Sequence, residues 1–303
     1  MMRRLLPWAQ LVRLPNAFTA LADIGMAAAV AGYAFERPAV FALLLVASAM
    51  LYLAGMAWND YFDRADDART RPFRPIPSGR ISAKAARFLG SLLLVGGVLA
   101  AFLASEVNRA DPHTYSFQIA LGLAALILLY DGWLKHTPLG PVAMGGCRAL
   151  NVLLGLSGNN FANTSPELAA HAAGTIGVYI VGVTWFARTE EGTSNPRHLR
   201  YATLVIVSAL VLALTLPLHL PAGTAPVYAP YLVVAFGMYL AGPLCAAIRR
   251  PEPKEVQAAV KRCILGLILL DAILAVAFVG PLGFALVLLL LPARWLGRWV
   301  YST

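Results

Sequence analysis

Nine blocks of apolar residues constrain what this chain can fold into. They run roughly over residues 16–34, 38–57, 85–105, 115–133, 139–157, 171–188, 200–218, 228–248 and 262–291. Most have the length, about 17–25 residues, that crosses a hydrocarbon layer roughly 30 Å thick, and inside lipid the backbone polar groups are satisfied only in helices. Only 13% of the residues are charged, against about 25% in soluble domains. The sequence predicts an all-α integral membrane protein, with residues 1–303 forming one bundle of about nine transmembrane helices.

The last apolar block leaves the number of spans open. It is longer than the others, and Gly280 and Pro281 interrupt it. Glycine and proline both disfavour a continuous helix. The block is therefore either one broken helix or two short ones.

Basic residues are unevenly distributed between the loops. The loop over 58–84 alone contains six Lys and Arg residues, whereas Arg37 and Arg109 are among the few in the alternate loops. Because basic loops stay in the cytoplasm, the N-terminus and the polar loops 58–84, 131–138 and 187–200 are predicted to be cytoplasmic. A net charge of +9 distributed in this way indicates membrane lipid as the partner and argues against nucleic acid.

An acidic cluster closes the second block. If the helix continues there, Asn59, Asp63 and Asp67 recur every four residues and Asp60 shares their face. Like charges stacked in this way destabilise a helix unless a positive group lies among them. Oxygen ligands with room for water and phosphate suit Mg²⁺. The alternative is a solvated acidic helix end balanced by nearby arginines.

A basic, proline-rich stretch follows the acidic cluster directly. Residues 69–80 read RTRPFRPIPSGR, which places arginines on a stiff and largely extended segment. The planar guanidinium group of arginine matches the oxygens of phosphate. Carboxylates for a metal beside arginines for phosphate indicate a metal–diphosphate site.

Two motifs carry a resemblance to a known family. The run NDxxDxxxD at 59–67, followed by RPxRPIPSG at 71–79, resembles the first signature of the UbiA superfamily of membrane prenyltransferases. The run YDxxxK at 130–135 is similar to a second stretch of that family. The resemblance covers nearly the whole chain and implies the family's bundle of nine helices with polar cytoplasmic loops.

The resemblance implies roles for these residues. Asp60, Asp63 and Lys135 would be catalytic, and the allylic cation would meet a lipophilic aromatic acceptor in a dry pocket. Positive side chains would neutralise the isoprenyl diphosphate donor as its C–O bond breaks; the candidates are Arg71, Arg74, Lys135 and Arg148. Oxygen ligands would hold Mg²⁺; the candidates are Asn59, Asp60, Asp63 and Asp67.

Four polar residues inside the apolar blocks can each be interpreted in two ways. Arg148 and Asn151 share a helix face and either reach the diphosphate or acceptor or pair with a neighbouring helix. Asp23 and Asp271 are intramembrane carboxylates, which are costly and often functional. They either line the pocket or form a local polar pair.

The sequence departs from the family pattern after the sixth block. The family has a second Asp-rich motif there, whereas this chain reads WFARTEEGTS at 185–194. Glu190 and Glu191 are the candidates to replace it as metal ligands. Adjacent residues on a helix point about 100° apart, so both do not easily share one site. The alternative is a capped helix end with solvated charges.

Two functions from different classes remain open. This pattern, with RLPNAFTA at 13–20 and KHTPLG at 135–140, most resembles the EboC-like branch, which implies a bacterial inner membrane. The first function is a Mg²⁺-dependent intramembrane prenyltransferase that moves an isoprenyl group from its diphosphate to an aromatic or conjugated acceptor. The alternative is a weakly or non-catalytic relative that binds a secondary metabolite and helps its export. An unrelated transporter is disfavoured because no internal repeat is recognisable.

Overall fold

The computed structural model describes residues 2–107, 115–159, 161 and 164–300; Arg109 lies outside them. Within those ranges no β-strand occurs, so the predicted all-α architecture is confirmed. Four short 3₁₀ segments cover Leu134–His136, Ser157–Asn159, Leu216–His219 and Gly280–Leu289. The α-helices are α1 (Met2–Leu11), α2 (Leu14–Ala31), α3 (Pro38–Phe62), α4 (Arg64–Thr70), α5 (Ala83–Val107), α6 (Ser116–Gly132), α7 (Gly140–Leu156), α8 (Pro166–Ala187), α9 (Pro196–Thr215), α10 (Ala229–Arg249), α11 (Pro253–Val279) and α12 (Leu290–Leu296).

Seven helical stretches of the described chain are long and apolar enough to cross a membrane. They comprise α2, α3, α5, α8, α9 with its 3₁₀ extension, α10, and the stretch from α11 through α12. Helices α6 and α7 have 17 residues each, short of a full bilayer crossing of about 20 residues. The chain is therefore a multi-pass membrane protein by its helices, while the count of nine spans and the orientation stay predictions.

Helices α2 and α8 are the most enclosed of the candidate spans. In their most apolar windows 72% and 61% of the residues are buried, against 28–39% for the others. Helix α2 packs against α3, α7, α11 and α12, and α8 packs against α7, α9 and α11. The outer helices bury one face only, so their Leu, Val and Phe side chains remain exposed on the outside of the bundle.

The last apolar block folds back on itself at Gly280. Helix α11 ends at Val279, and Gly280 has φ 61°, in the left-handed region that favours glycine. The 3₁₀ segment and α12 that follow pack against α11 and α2. The block therefore consists of two segments. Helix α11 also begins at Pro253 and not near residue 262, which places Lys261 on a helix and not in a loop.

The predicted polar loops meet at one end of the bundle. The α3–α5 connection, the turn after α6 and the turn after α8 contact one another through side chains. Between the second and third of these, Arg188 donates a 2.5 Å hydrogen bond to the carbonyl oxygen of Thr137. The bundle therefore gathers residues 58–84, 131–138 and 187–200 at the same end.

An alanine at Gly145 is expected to loosen the contact between α7 and α8. Its Cβ would lie 2.6 Å from the carbonyl oxygen of Gly177, too close for either backbone to stay in place. We expect the free energy of unfolding in detergent micelles to fall by about 1–3 kcal/mol, as for overpacking elsewhere. Gly174→Ala on α8 is the matched control, because a Cβ there meets open space. Equal thermal stability of the two variants would contradict the close approach.

Candidate functional site

Two residues of the acidic cluster, Asn59 and Asp63, contact Lys135. Its Nζ lies 2.5 Å from Oδ1 of Asp63 and donates a 3.3 Å hydrogen bond to Oδ1 of Asn59. Asn59 and Asp63 are four residues apart, and Asp63 still has helical dihedral angles just beyond the end of α3, so one face presents both. Lys135 reaches them from the 3₁₀ turn Leu134–His136. The structure thus brings two motifs of distant sequence position into contact.

The second group, Asp60 and Asp67, surrounds Arg74. Nη1 of Arg74 lies 2.7 Å from Oδ2 of Asp67 and 3.5 Å from Oδ1 of Asp60. Arg13, from the turn between α1 and α2, lies 3.5 Å from the same oxygen of Asp60. Asp60, Asp67 and Arg74 are 4%, 3% and 7% exposed. At that depth an unpaired charge costs roughly 3–5 kcal/mol, so each of these groups depends on its partners.

The stretch that carries Arg74 is folded into turns, and the prediction that it is largely extended was wrong. Backbone hydrogen bonds of 3.0 Å run from Ser78 to Arg74 and from Ile81 to Pro75. The guanidinium of Arg80 donates to the carbonyl oxygen of Phe73 at 2.5 Å and to the side chain of Ser78 at 2.9 Å. These bonds close the stretch on itself and hold Arg74 over the carboxylates.

Glu190 and Glu191 lie in a turn, because α8 already ends at Ala187. The helical spacing of about 100° therefore does not apply to this pair. Glu191 forms an ion pair with Arg71, which also lies 3.9 Å from Oδ1 of Asp67. Burial raises the pKa of Glu190, and the guanidinium groups of Arg71 and Arg13 oppose that rise. Both glutamates therefore border the site.

A cavity of about 60 Å³ opens beneath the charged cluster, between α2, α3, α6 and α7. Its walls are mostly apolar, with Leu51, Met56 and Ile127 among them. Tyr130 and Asp131, at the end of α6, line it near the cluster, and Asp131 is only 3% exposed. An apolar space that begins at charged groups suits an amphiphile with an anionic head.

Arg148 lines this cavity but does not join the charged cluster. Its guanidinium lies 5.3 Å from the ring centroid of Tyr52. Tyr52 is eight residues before Asp60 on α3, a rise of about 12 Å. Nη1 of Arg148 lies 2.8 Å from Oδ2 of Asp23, and Nη2 donates to the hydroxyl of Thr19. The local pairing predicted as the alternative is therefore present, and its role toward a diphosphate stays a prediction.

The partners of Arg148 form a polar network across the bundle. Asn151 donates a 2.9 Å hydrogen bond to Oδ2 of Asp23, and Ser48 donates one of 2.7 Å to Oδ1 of Asn151. Asp271 of α11 is fully buried and interacts electrostatically with both Asp23 and Arg148. Such groups are costly in a membrane interior unless they are paired. The network joins four helices around the deep end of the cavity.

The charged cluster contains oxygen ligands of the kind that binds Mg²⁺, although its carboxylates contact arginine and lysine side chains. Among the described residues, no three His, Cys, Asp or Glu side chains converge as metal ligands. The physical reason is that Asp60, Asp63 and Asp67 each face an arginine or lysine. Asn59 and the carboxylates nonetheless supply only oxygen atoms, as Mg²⁺ requires. Oε2 of Glu190, buried without a hydrogen-bond partner in the described structure, is a further free oxygen.

Two residues of the site were missed from the sequence. Arg13 was noted as the first residue of the RLPNAFTA run but was not chosen as a site residue, yet it contacts Asp60. Asp131 was part of the YDxxxK run but was not chosen as a site residue. A usable signal existed for Asp131, because it lies one helical turn before Lys135, the spacing that puts two residues on one side of a helix.

Comparisons with known proteins identify the relatives of this chain. The UbiA prenyltransferase family matches residues 18–265. Digeranylgeranylglyceryl phosphate synthase of Halobacterium salinarum is 32% identical over 246 residues, covering 79% of this chain and 83% of that protein. The protein of the same name from Methanosarcina mazei is 41% identical over 105 residues, and the match spans only 34% of each chain. None of these matches concerns the EboC-like branch, which stays a prediction.

Two solved structures share the fold. One, from work on digeranylgeranylglyceryl phosphate synthase in membranes, has a TM-score of 0.66 at 18% identity and covers 91% of this chain and 99% of its own. The other is a UbiA homologue from Archaeoglobus fulgidus bound to GPP and Mg²⁺, with a TM-score of 0.56 at 14% identity, covering 88% and 99%. The family match extends over most of the chain, and the chain therefore belongs to the UbiA prenyltransferase family.

Proposed function

We propose that this chain catalyses the Mg²⁺-dependent transfer of an isoprenyl group from its diphosphate to a lipophilic acceptor inside the membrane. The observation that carries the proposal is the cluster of carboxylates, arginines and a lysine at the mouth of an apolar cavity. The Archaeoglobus fulgidus homologue of the same fold was solved with GPP and Mg²⁺ bound. A diphosphate head at the cluster would place an isoprenyl chain in the cavity beneath it.

The cations of the cluster are the groups that would bind the diphosphate. Lys135 and the guanidinium groups of Arg71 and Arg74 would exchange a carboxylate for phosphate oxygens, which have similar geometry. The oxygen atoms released in this way, on Asp60, Asp63, Asp67 and Asn59, would hold Mg²⁺, with Glu190 and Glu191 at the border. When bound, the metal supplies positive charge that stabilises the departing diphosphate.

The reaction would begin with heterolysis of the allylic C–O bond. The electron pair leaves with the diphosphate, whose negative charge Arg71, Arg74 and Lys135 stabilise. The allylic cation remains in the cavity, where few polar groups can add to it. The ring of Tyr52 already interacts with the guanidinium of Arg148, and aromatic faces such as those of Tyr52 and Tyr130 stabilise carbon cations by the same electrostatic attraction.

Attack by the acceptor completes the transfer and releases one proton. The new bond forms between the allylic carbon and the acceptor atom, and Asp131, which lines the cavity near the diphosphate position, would receive the proton at a carboxylate oxygen. An aromatic or conjugated acceptor is one class. The named product of the archaeal relatives is a glyceryl phosphate with two geranylgeranyl groups, so a prenylated glyceryl phosphate is the second class that an assay should contain.

The first test is binding and turnover of an isoprenyl diphosphate series by purified protein in nanodiscs. We expect Mg²⁺-dependent release of diphosphate when an acceptor is present. Arg71→Ala should weaken donor binding about 10–100-fold, the effect of losing a charge-assisted hydrogen bond. Arg69→Ala is the matched control, since Arg69 is exposed on α4 and makes no ion pair in the described residues.

The outcomes separate the two functions. Diphosphate release with either acceptor class supports the transferase and identifies the class. Tight Mg²⁺-dependent binding without turnover in any acceptor would overturn the transferase and favour the binding or export alternative. If no isoprenyl diphosphate binds, the assignment of the charged cluster is wrong.

A further inference from the structure

A second, basic pocket lies at the site end of the bundle but outside the cavity described above. It has a volume of about 380 Å³ and lies between the start of α2, the first half of α11 and the end of α12. Lys261, Arg294 and Arg298 line it together with Pro15 and Asn16. No aspartate or glutamate is among its lining residues. Three positive charges therefore line one space, from α11, from α12 and from the turn after α12.

These three cations have no acidic partner in the part of the chain that the structure describes. Every ion pair there involves other residues, mostly those of the charged cluster. Basic residues at a membrane surface are common, but their convergence on one pocket raises the energy of the chain through mutual repulsion. An anion in the pocket would remove that repulsion. The charges alone thus indicate an anionic ligand.

The floor of the basic pocket is apolar. Ile264, Leu265 and Ala293 form the floor. Farther along α2, a separate groove of about 420 Å³ lies between α2, α3, the end of α11 and the 3₁₀ segment Gly280–Leu289. Its lining is apolar throughout, from Leu21 and Gly25 to Phe35, Phe41 and Leu286. Asn16 lines the basic pocket, and Leu21 and Gly25 line the groove. The rise along α2 between these positions is about 8–14 Å.

The fold-back at Gly280 creates both spaces. Because the segment after Gly280 runs back along α2 and α11, its 3₁₀ part lines the apolar groove and α12 reaches the basic pocket. A polar space at the bundle end, followed by an apolar space deeper in, matches an amphiphile lying along α2. The cavity for the isoprenyl chain lies on the other side of α2, against α3, α6 and α7.

We propose that this pocket binds the phosphate of a membrane lipid whose hydrocarbon chain lies in the groove. The ligand class is a glycerol-based lipid with an exposed phosphate, held by Lys261, Arg294 and Arg298 through charge-assisted hydrogen bonds. Free inorganic phosphate could bind the same three cations, but it would leave the apolar groove without a function. The proposal goes beyond prenyl transfer, because none of the three cations belongs to the diphosphate site.

The test measures lipid binding directly, by native mass spectrometry and by the shift of the thermal unfolding midpoint in detergent. The probes are dioleoyl phosphatidic acid, dioleoyl phosphatidylcholine and sodium phosphate. We expect phosphatidic acid to bind and to raise the midpoint. Removing all three charges in K261A/R294A/R298A should weaken its apparent affinity at least about tenfold, because each basic residue that meets an anionic lipid adds to the attraction.

A second triple variant controls for total charge. R200A/R250A/K254A removes three exposed cations elsewhere on the chain, and it should keep the affinity for phosphatidic acid. All six side chains are exposed, so both variants are expected to fold. Equal loss of binding in the two variants would show that total surface charge, and not this pocket, determines the affinity. That result would overturn the proposal. Equal affinity for phosphatidylcholine, or a shift of the same size with sodium phosphate, would overturn the lipid phosphate as the ligand.

Discussion

Asp63→Asn is expected to lower turnover of the isoprenyl diphosphate at least about 10³-fold while the protein stays folded. The substitution keeps the size of the side chain and removes its negative charge. That charge faces Lys135 at 2.5 Å, and in the proposed reaction it is a ligand of Mg²⁺ beside the breaking bond. Losing one preorganised electrostatic contact at a reacting centre costs about 10²–10³ in rate, and weaker metal binding adds to that loss. The measurement is diphosphate release at saturating donor and acceptor.

A neighbouring aspartate provides the control for Asp63→Asn. Asp66 is exposed on α4 and forms no ion pair among the described residues. Asp66→Asn makes the same change of charge three residues away, so we expect activity within about twofold of the wild type, as for surface substitutions. Raising the Mg²⁺ concentration should partly restore Asp63→Asn. Full activity of Asp63→Asn at every Mg²⁺ concentration would exclude Asp63 from the metal site.

Arg148→Leu is expected to give the largest loss of stability, about 3–5 kcal/mol in the free energy of unfolding. Asp23 is fully buried, and Arg148 is its only ion-pair partner in the described structure. Without the guanidinium, Asp23 keeps the hydrogen bond from Asn151 but has no cation among the described residues, and it lies beside the equally buried Asp271. Unfolding in mixed micelles, followed by circular dichroism, measures the effect.

Two further variants show whether that loss comes from the unpaired carboxylate. D23L/R148L removes both charges, and replacing a buried pair with apolar residues is often close to neutral. We therefore expect the double variant to recover most of the stability. Arg262→Leu removes an exposed arginine that lies 5.0 Å from the ring centroid of Tyr239, and it should cost less than about 1 kcal/mol. A double variant no more stable than Arg148→Leu would point to lost packing instead.

Much of the candidate site could be predicted because its parts are close in sequence. Asp60, Asp67 and Arg74 lie within fifteen positions, and helical spacing suffices to place the two carboxylates on one side. Arg13 could not be found in this way, since its contact with Asp60 joins residues 47 positions apart. The turn at Glu190 was also missed, because an apolar block does not mark the residue at which its helix ends. The basic pocket depends on the fold-back at Gly280, which the interruption of the last block indicated only as one of two possibilities.

Apolar blocks, helical spacing and the distribution of charge were enough to predict the class of the protein, the approximate helices and the end of the bundle at which charge collects. These follow from the transfer of apolar residues into lipid and from helical periodicity, both of which act within one segment. The packing of the helices was needed to show which cation faces which side chain of the acidic cluster, since Lys135 and Asn59 are separated by 76 positions. It was also needed to show that Arg148 pairs with Asp23 and does not join the charged cluster. The physical reason is that such contacts depend on how helices pack and rotate against one another, and no local pattern encodes that arrangement.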